Sequence, residues 1–175
     1  MIETLVTSKT RIKLLVKFFL NPGTSSYLRE LATDLEENTN AVRVELNRLS
    51  EAGFLQTSKD GQKVMYAANP EHPLFQDLNT IVSKYTGIDR LVEEVIGYMG
   101  ALKEVYLIGD YAKGIDSGTI EVLLVGNIKE DYLNSFLNRL KPEVSRSVKC
   151  KVLHPDNKPK FFKSYEGPYL LLFEK

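Results

Sequence analysis

Cysteine is nearly absent. Cys150 stands alone among 175 residues and has no partner for an internal disulfide. A single thiol fits a reducing, cytoplasmic setting and reads as a small buried hydrophobe rather than a reactive group. Net charge is absent as well, since 23 basic side chains meet 23 acidic ones. A neutral chain that binds a polyanion must gather its positive charge on one face. No apolar run approaches the ~20 residues of a membrane span. Residues 1–20 are broken by Lys9, Arg11, Lys13 and Lys17 and lack a secretory-signal pattern. Histidine is scarce too. His72 and His154 each precede a proline and have no spaced Cys or His partner, which argues against a zinc site. No Ser-His-Asp constellation, internal repeat or low-complexity tract stands out. No metal and no cofactor are expected.

What is present suits globular cores, with 43% hydrophobic residues in a length that holds one large or two small domains. The most informative stretch is Tyr27 to Ala67. Leu28, Leu31, Ala32 and Leu35 recur at helical spacing, and Glu36-Glu37 break the pattern. Asn38 sits where an N-cap belongs. Val42, Leu46 and Leu49 then form the apolar stripe of a second helix, which Gly53 closes as a left-handed cap. Two strands, 54–59 and 62–67, flank Asp60-Gly61, a dipeptide favoured in two-residue hairpin turns. Two helices with a tight turn, followed by a hairpin, is the order of a winged helix-turn-helix.

The residues off the second stripe are Thr39, Asn40, Arg43, Val44 and Asn47. These side chains suit base edges: Asn pairs with adenine, Arg with guanine or phosphate, and Thr or Val meets a thymine methyl. Lys59 and Lys63 lie beside the hairpin tip, where they can reach phosphates. Residues 1–70 carry nine basic and eight acidic side chains, so a lone head is expected to bind weakly and to need dimerisation on paired half-sites. The run TNAVRVELNRLSEAGFL, residues 39–55, resembles the recognition helix and wing entry of bacterial winged-helix transcriptional regulators of the ArsR/MarR type. That resemblance covers about the first 70 residues and implies double-stranded DNA as partner.

Upstream, Ser8 or Thr10 caps a helix running to about Leu20, with Ile12, Leu15, Val16, Phe19 and Leu20 inward and its lysines on a solvated face. Pro22-Gly23 stops it. Downstream, Asn69-Pro70-Glu71-His72-Pro73 predicts a stiff, extended connector. A helix over 74–85 places Leu74, Leu78, Ile81, Val82 and Tyr85 on one side, which suits a dimer contact. Another helix runs over 89–99 and ends at Gly100. From Val105 the pattern becomes α/β. It predicts strands 105–108, 120–125, 147–153 and 169–173, a helix over 129–140, a loop over 154–160 and a short irregular piece over 161–165. The expected fold is α+β: a winged helix-turn-helix over 1–70, a linker with dimerisation or packing helices over 71–100, and a small α/β domain with a mixed sheet over 101–175.

Within that last domain, LIGDYAKGIDSGTIEVLLVG (107–126) resembles the signature of polymerase-beta-type nucleotidyltransferases in minimal form. Gly109, Ala112, Lys113, Gly114 and the strand ending at Gly126 match. Asp110 replaces the family's serine, Thr119 replaces the first metal-binding aspartate, and Glu121 stands at the second. Residues 147–153 offer Lys149 and Lys151 instead of a third carboxylate. Two-metal phosphoryl transfer needs several carboxylates, so the resemblance implies a catalytically inactive domain that serves as sensor or dimerisation scaffold. Backbone amides around Gly109 and Lys113 are candidates for a nucleotide or small anion, with Asp110, Gly114 and Glu121 beside them. The rival readings are an active nucleotidyltransferase that docks partners through its winged helix, and a protein-interaction module. The expected whole is a cytoplasmic, homodimeric DNA-binding regulator that is not an enzyme and does not associate with membrane.

Overall fold

The computed structural model describes residues 2–98, 101–140 and 144–175. The fold class is α+β, with two sheets, one of them mixed. The chain divides into two compact units, Met1–Val82 and Ser83–Lys175.

In the first unit a one-turn helix α1 (Ile2–Leu5) precedes α2 (Lys9–Leu20). Ser8 caps α2 by accepting from the Arg11 amide. The expected face of α2 is buried, and Leu14 and Phe18 are fully buried as well. A helix apolar on so many sides sits inside its unit rather than on it. A strand that periodicity did not reveal, β1 (Ser25–Tyr27), leads into α3 (Leu28–Asp34). Three residues are too few for an alternation signal. Glu36, at φ 51, makes the left-handed turn before α4 (Thr39–Glu51), and the Asn38 side chain caps α4 through the Asn40 amide. Gly53 is left-handed just beyond the C-terminus of α4.

The hairpin consists of β2 (Leu55–Asp60) and β3 (Lys63–Ala68), and β1 completes an antiparallel sheet of order β1-β3-β2. Both strands lie one residue later than expected. Asp60 pairs with Lys63, so the turn is Gly61-Gln62. Gly61 has φ 58 and Gln62 is not left-handed, which is the signature of a type II′ turn with glycine first. The shift moves every cross-strand partner by two residues, so Lys63 lies opposite Asp60 rather than Ser58.

The connector at 69–73 is not extended. Asn69 Nδ2 donates to the Gly53 carbonyl, the His72 ring lies 4.1 Å from the Phe54 ring, and the His72 and Phe75 amides close successive turns. Those contacts fold the connector back onto Gly53 and Phe54, just before β2, instead of leaving it as a spacer. In α5 (Phe75–Thr86) the apolar residues divide. Phe75 and Val82 are buried, while Leu74, just before the helix, and Ile81 are about half exposed at 50% and 46%. Phe75 packs on Phe19, and Asn79 Nδ2 donates to the Phe19 carbonyl at 2.6 Å. These contacts explain why the expected linker at 71–100 is shared between the units, with its first part in the first unit.

The second unit begins with the end of α5 and α6 (Ile88–Tyr98), which buries Ile88, Leu91 and Val95. The expected helix end at Met99–Gly100 lies outside the described residues. Its sheet has the order β6-β5-β4-β7. β4 (Leu102–Ile108) runs antiparallel to β5 (Thr119–Gly126) and to β7 (Tyr169–Glu174). β5 runs parallel to β6 (Ser147–Leu153). A parallel pair needs a crossover, and α7 (Glu130–Leu140) lies in that connection. At Gly126 a Cβ would stand 2.5 Å from the Ala101 carbonyl oxygen, so this glycine is required by close backbone approach.

Successive residues of β5 serve opposite faces. Ile120, Val122 and Leu124 are buried on one. On the other, Leu123 and Val125 join Tyr106, and Ile108, Leu153, Phe161 and Phe162 pack against them. The two phenylalanines belong to α8 (Lys158–Ser164), which starts earlier than the irregular piece expected at 161–165. Just before it, His154 caps a 3-10 turn (Pro155–Asn157) by accepting from the Asp156 amide. Among the described residues no helix is long and apolar enough to cross a membrane.

Candidate nucleic-acid interface

Helix α4 has a sealed side and an open side. Val42, Leu46 and Leu49 are buried, and burial of each contributes on the order of 2 kcal/mol. Beside them Glu45 is also buried. Arg11 Nε of α2 donates to Glu45 Oε2 at 2.7 Å, and Arg48 Nη1 to Oε1 at 3.0 Å. Periodicity could not distinguish Glu45 from its exposed neighbours; its partner Arg11 lies 34 residues away.

The open side holds Thr39, Asn40, Arg43, Val44 and Asn47, every one exposed. Arg43 Nη1 donates to Asn40 Oδ1 at 2.6 Å, so the two side chains that suit base edges are held against each other. Arg43 forms no ion pair among the described residues. Arg29 on α3 is likewise exposed and without one; sequence reasoning did not single it out.

Of the basic residues of α2, Lys9 is exposed, but Arg11, Lys13 and Lys17 are tied to acidic groups rather than forming a solvated face. Lys17 is buried and bonded to Asp34 at 2.9 Å, and Lys13 pairs with Glu37 at 2.7 Å. Together with Arg11 on Glu45, these pairs neutralise three acidic residues of α3, α4 and the turn between them. That leaves a net charge of +1 in the first seventy residues, with its free cations on α3, α4 and the wing and at Lys9, the first residue of α2.

Lys59 and Lys63 are both exposed at the wing, on opposite faces of it. Lys63 is opposite Asp60, and Lys59 opposite Val64. Directly opposed residues share a face and neighbours alternate. The Lys63 Nζ rests 4.1 Å above the Tyr27 ring, a cation–π contact that steadies it.

The glycine-rich turn of the second unit is arranged differently from expectation. Gly109 is left-handed at φ 70, and a Cβ there would clash with Glu121 Oε2. Asp110 and Lys113 are exposed, Gly114 is left-handed and buried, and Glu121 is half-buried on β5. The Gly109 amide donates to Tyr165 Oη at 3.3 Å. The amides of Ala112, Lys113, Gly114 and Ile115 donate to Gly109, Asp110, Tyr111 and Asp110 carbonyls within the turn. These amides are already engaged, and the Glu121 carboxylate beside Gly109 repels an anion. The turn therefore does not present the expected amide cradle.

Asp116 is held away from any metal role. Arg146 Nε reaches both its oxygens at 3.1 Å, and the Tyr111 hydroxyl and Gly118 amide also donate to it. Arg146 Nη1 donates to the Tyr85 carbonyl at 2.7 Å, and its guanidinium lies over the Tyr85 ring. Burial pushes the Asp116 carboxyl up, but the Arg146 and Tyr111 hydrogen bonds outweigh it and hold it low. Burial and the same carboxylate push the Tyr111 hydroxyl well up. Among the described residues no group of three or more His, Cys, Asp or Glu is placed to hold a metal ion. Cys150, half-buried on β6, has its thiol pushed up to about 12 by burial, as suits an unreactive core cysteine.

Among the described residues four carboxyl groups sit below their ordinary values. Glu37 is lowered first by the Lys13 hydrogen bond. For Glu45, Glu104 and Asp116, burial is outweighed by bonds from Arg11, Lys158 and Arg146 respectively. A carboxyl lowered in the folded protein stabilises it above the unfolded value, and that stability drains as pH falls through the folded value. Thermal melts are expected to be level from neutrality to about pH 5 and to fall steeply below about pH 4. Equal melting temperatures at about pH 3 and pH 6 would contradict these pairings.

No family model matches the chain, and no curated protein matches it. Solved structures similar to it include the following two. AF1382 from Archaeoglobus fulgidus is 13% identical over 53% of this chain and 98% of that one, with a TM-score of 0.39. TrmBL2, described as an archaeal chromatin protein with a novel mode of DNA binding, is 15% identical over 93% of this chain and 70% of that one, with a TM-score of 0.30. Likenesses this slight carry no argument about what this chain binds.

Proposed function

We propose that the chain is a DNA-binding transcriptional regulator whose first unit inserts α4 into a major groove. The reading is carried by the division of α4 into two sides. Its apolar stripe and Glu45 are sealed inward, and Thr39, Asn40, Arg43, Val44 and Asn47 are all open outward. Arg43 and Asn47 reach base edges, with Asn40 beside them and Val44 against thymine methyls. Lys63 and Lys59, on opposite wing faces, meet different runs of phosphates.

A head with a net charge of +1 binds one site weakly, so the regulator works as a homodimer on paired half-sites. Exposed Leu74 and Ile81, seven residues apart at the α5 face, support that assembly. The second unit is a nucleotidyltransferase-like domain without catalysis that serves as scaffold. Support comes from Lys149 and Lys151 where a third carboxylate is needed, and from Asp116 being tied to Arg146.

The test is fluorescence anisotropy of the full chain on duplex DNA from upstream of its own gene, with random duplex as competitor. Binding that resists the competitor and weakens steeply with salt is expected. Affinity equal for both duplexes at every salt concentration would overturn the reading of bases by α4.

A further inference from the structure

Charge along this neutral chain is segregated. Residues 71–146 carry eight basic and twelve acidic side chains, whereas residues 147–165 carry five basic and one acidic. That short segment holds β6 and α8, which share one face of the second sheet. Lys149, Lys151 and Leu153 alternate along β6 onto one side, and Leu153 packs into the same cluster as Phe161 and Phe162 of α8. The Lys151 Nζ lies 4.8 Å over the Phe161 ring, which stacks on Tyr165 at 5.1 Å with 16° between planes. Lys160 and Lys163, one helical turn apart, are exposed on α8.

Of the five lysines only Lys158 is neutralised, by Glu104 at 2.6 Å. Lys149, Lys151, Lys160 and Lys163 form no ion pair among the described residues. The acidic groups nearest in sequence or register are Glu121, which pairs in register with Lys149, exposed Asp156, which faces His154 at 3.3 Å, and exposed Glu166, three residues beyond Lys163.

We infer that this face of the second unit is a second nucleic-acid contact surface, in which Lys149, Lys151, Lys160 and Lys163 neutralise backbone phosphates around the partly open Phe161–Tyr165 ring pair. The inference rests on the proposed DNA-binding function for its choice of duplex DNA as the polyanion. A phosphate backbone fits because the patch is rich in lysine, point charges that need no precise acceptor geometry. It holds no fork of arginines and no groove for a side chain. Contacts of this kind add affinity and salt dependence without sequence preference.

The experiment measures the salt dependence of full-chain binding to a random duplex of ~30 base pairs. It compares the parent, the quadruple Lys→Gln variant at 149, 151, 160 and 163, the matching quadruple Lys→Arg variant, and Arg43→Ala/Asn47→Ala. Each phosphate contact contributes about 0.9 to the log–log slope. The Gln variant is expected to reduce the slope by about 3, the Arg variant to restore it, and the α4 variant to leave it within about 1 of the parent.

An unchanged slope in the Gln variant, with the circular dichroism of the parent, overturns the inference. So does a slope that falls equally in the Gln and Arg variants. Parent binding to vesicles of phosphatidylserine and phosphatidylcholine that is tighter than duplex binding, and is lost in the Gln variant, would assign the face to membrane and overturn it too. If the Gln variant loses slope while Arg43→Ala/Asn47→Ala keeps parental affinity for the upstream duplex, this inference stands and the proposed role of α4 fails.

Discussion

Arg146→Ala is expected to destabilise the second unit by about 3 kcal/mol. Arg146 and Asp116 have side chains only 11% and 20% exposed. Removing one partner of a buried pair costs about 3–5 kcal/mol, because the remaining charge stays desolvated. The residual solvent contact puts this pair at the low end. Alanine leaves the Asp116 carboxylate with the Tyr111 hydroxyl and the Gly118 amide, neither of which is a cation. It also takes a donor from the Tyr85 carbonyl and a cation from the Tyr85 ring. Arg146→Lys should recover part of the loss, since a lysine restores charge but not the fork that reaches both oxygens. Urea denaturation of the full chain measures both variants. An Arg146→Ala change below about 1 kcal/mol would mean that the cluster is not buried as described.

Arg43→Ala is expected to lower affinity for the upstream duplex by at least about tenfold while leaving the melting temperature within a degree or so. One base contact by arginine contributes about 1–3 kcal/mol. Folding should be indifferent, because Arg43 is exposed and touches only Asn40. The Arg43–Asn40 bond adds a second expectation. Holding the guanidinium in place reduces the freedom it loses on binding, so Asn40→Ala should weaken binding through Arg43 even at sites where Asn40 itself reads no base. The double variant then loses less than the sum of the singles. Unchanged affinity in Arg43→Ala would remove α4 from the groove, whatever the salt dependence of the rest.

The capped helices over 9–20 and 39–51 were legible because each has an N-cap side chain and an apolar stripe within one local window. The hairpin was legible in kind but not in register. Asp60-Gly61 is a good turn dipeptide by composition, yet pairing of Asp60 with Lys63 moves the turn to Gly61-Gln62 and every cross-strand partner by two residues. The glycine-rich turn shows the same limit. Gly109 and Gly114 mark a tight backbone, but composition does not say that the Gly109 amide is already bonded to Tyr165, 56 residues away.

Spacing and capping along the chain therefore established the α+β class, the helix-turn-helix and hairpin order, and the outward residues of α4, because each depends on neighbours within a turn or two. Which charges are free and which are tied was left to the fold. Lys17 and Arg11 look like Lys59 in a sequence, yet one is buried on Asp34 and the other bonded to Glu45 across α4. Asp116 looks like Asp110 but is enclosed by Arg146 and Tyr111, 30 and five residues distant. A side chain's charge is a local property, whereas its partner is whatever distant residue the folded core brings within about 3 Å of it.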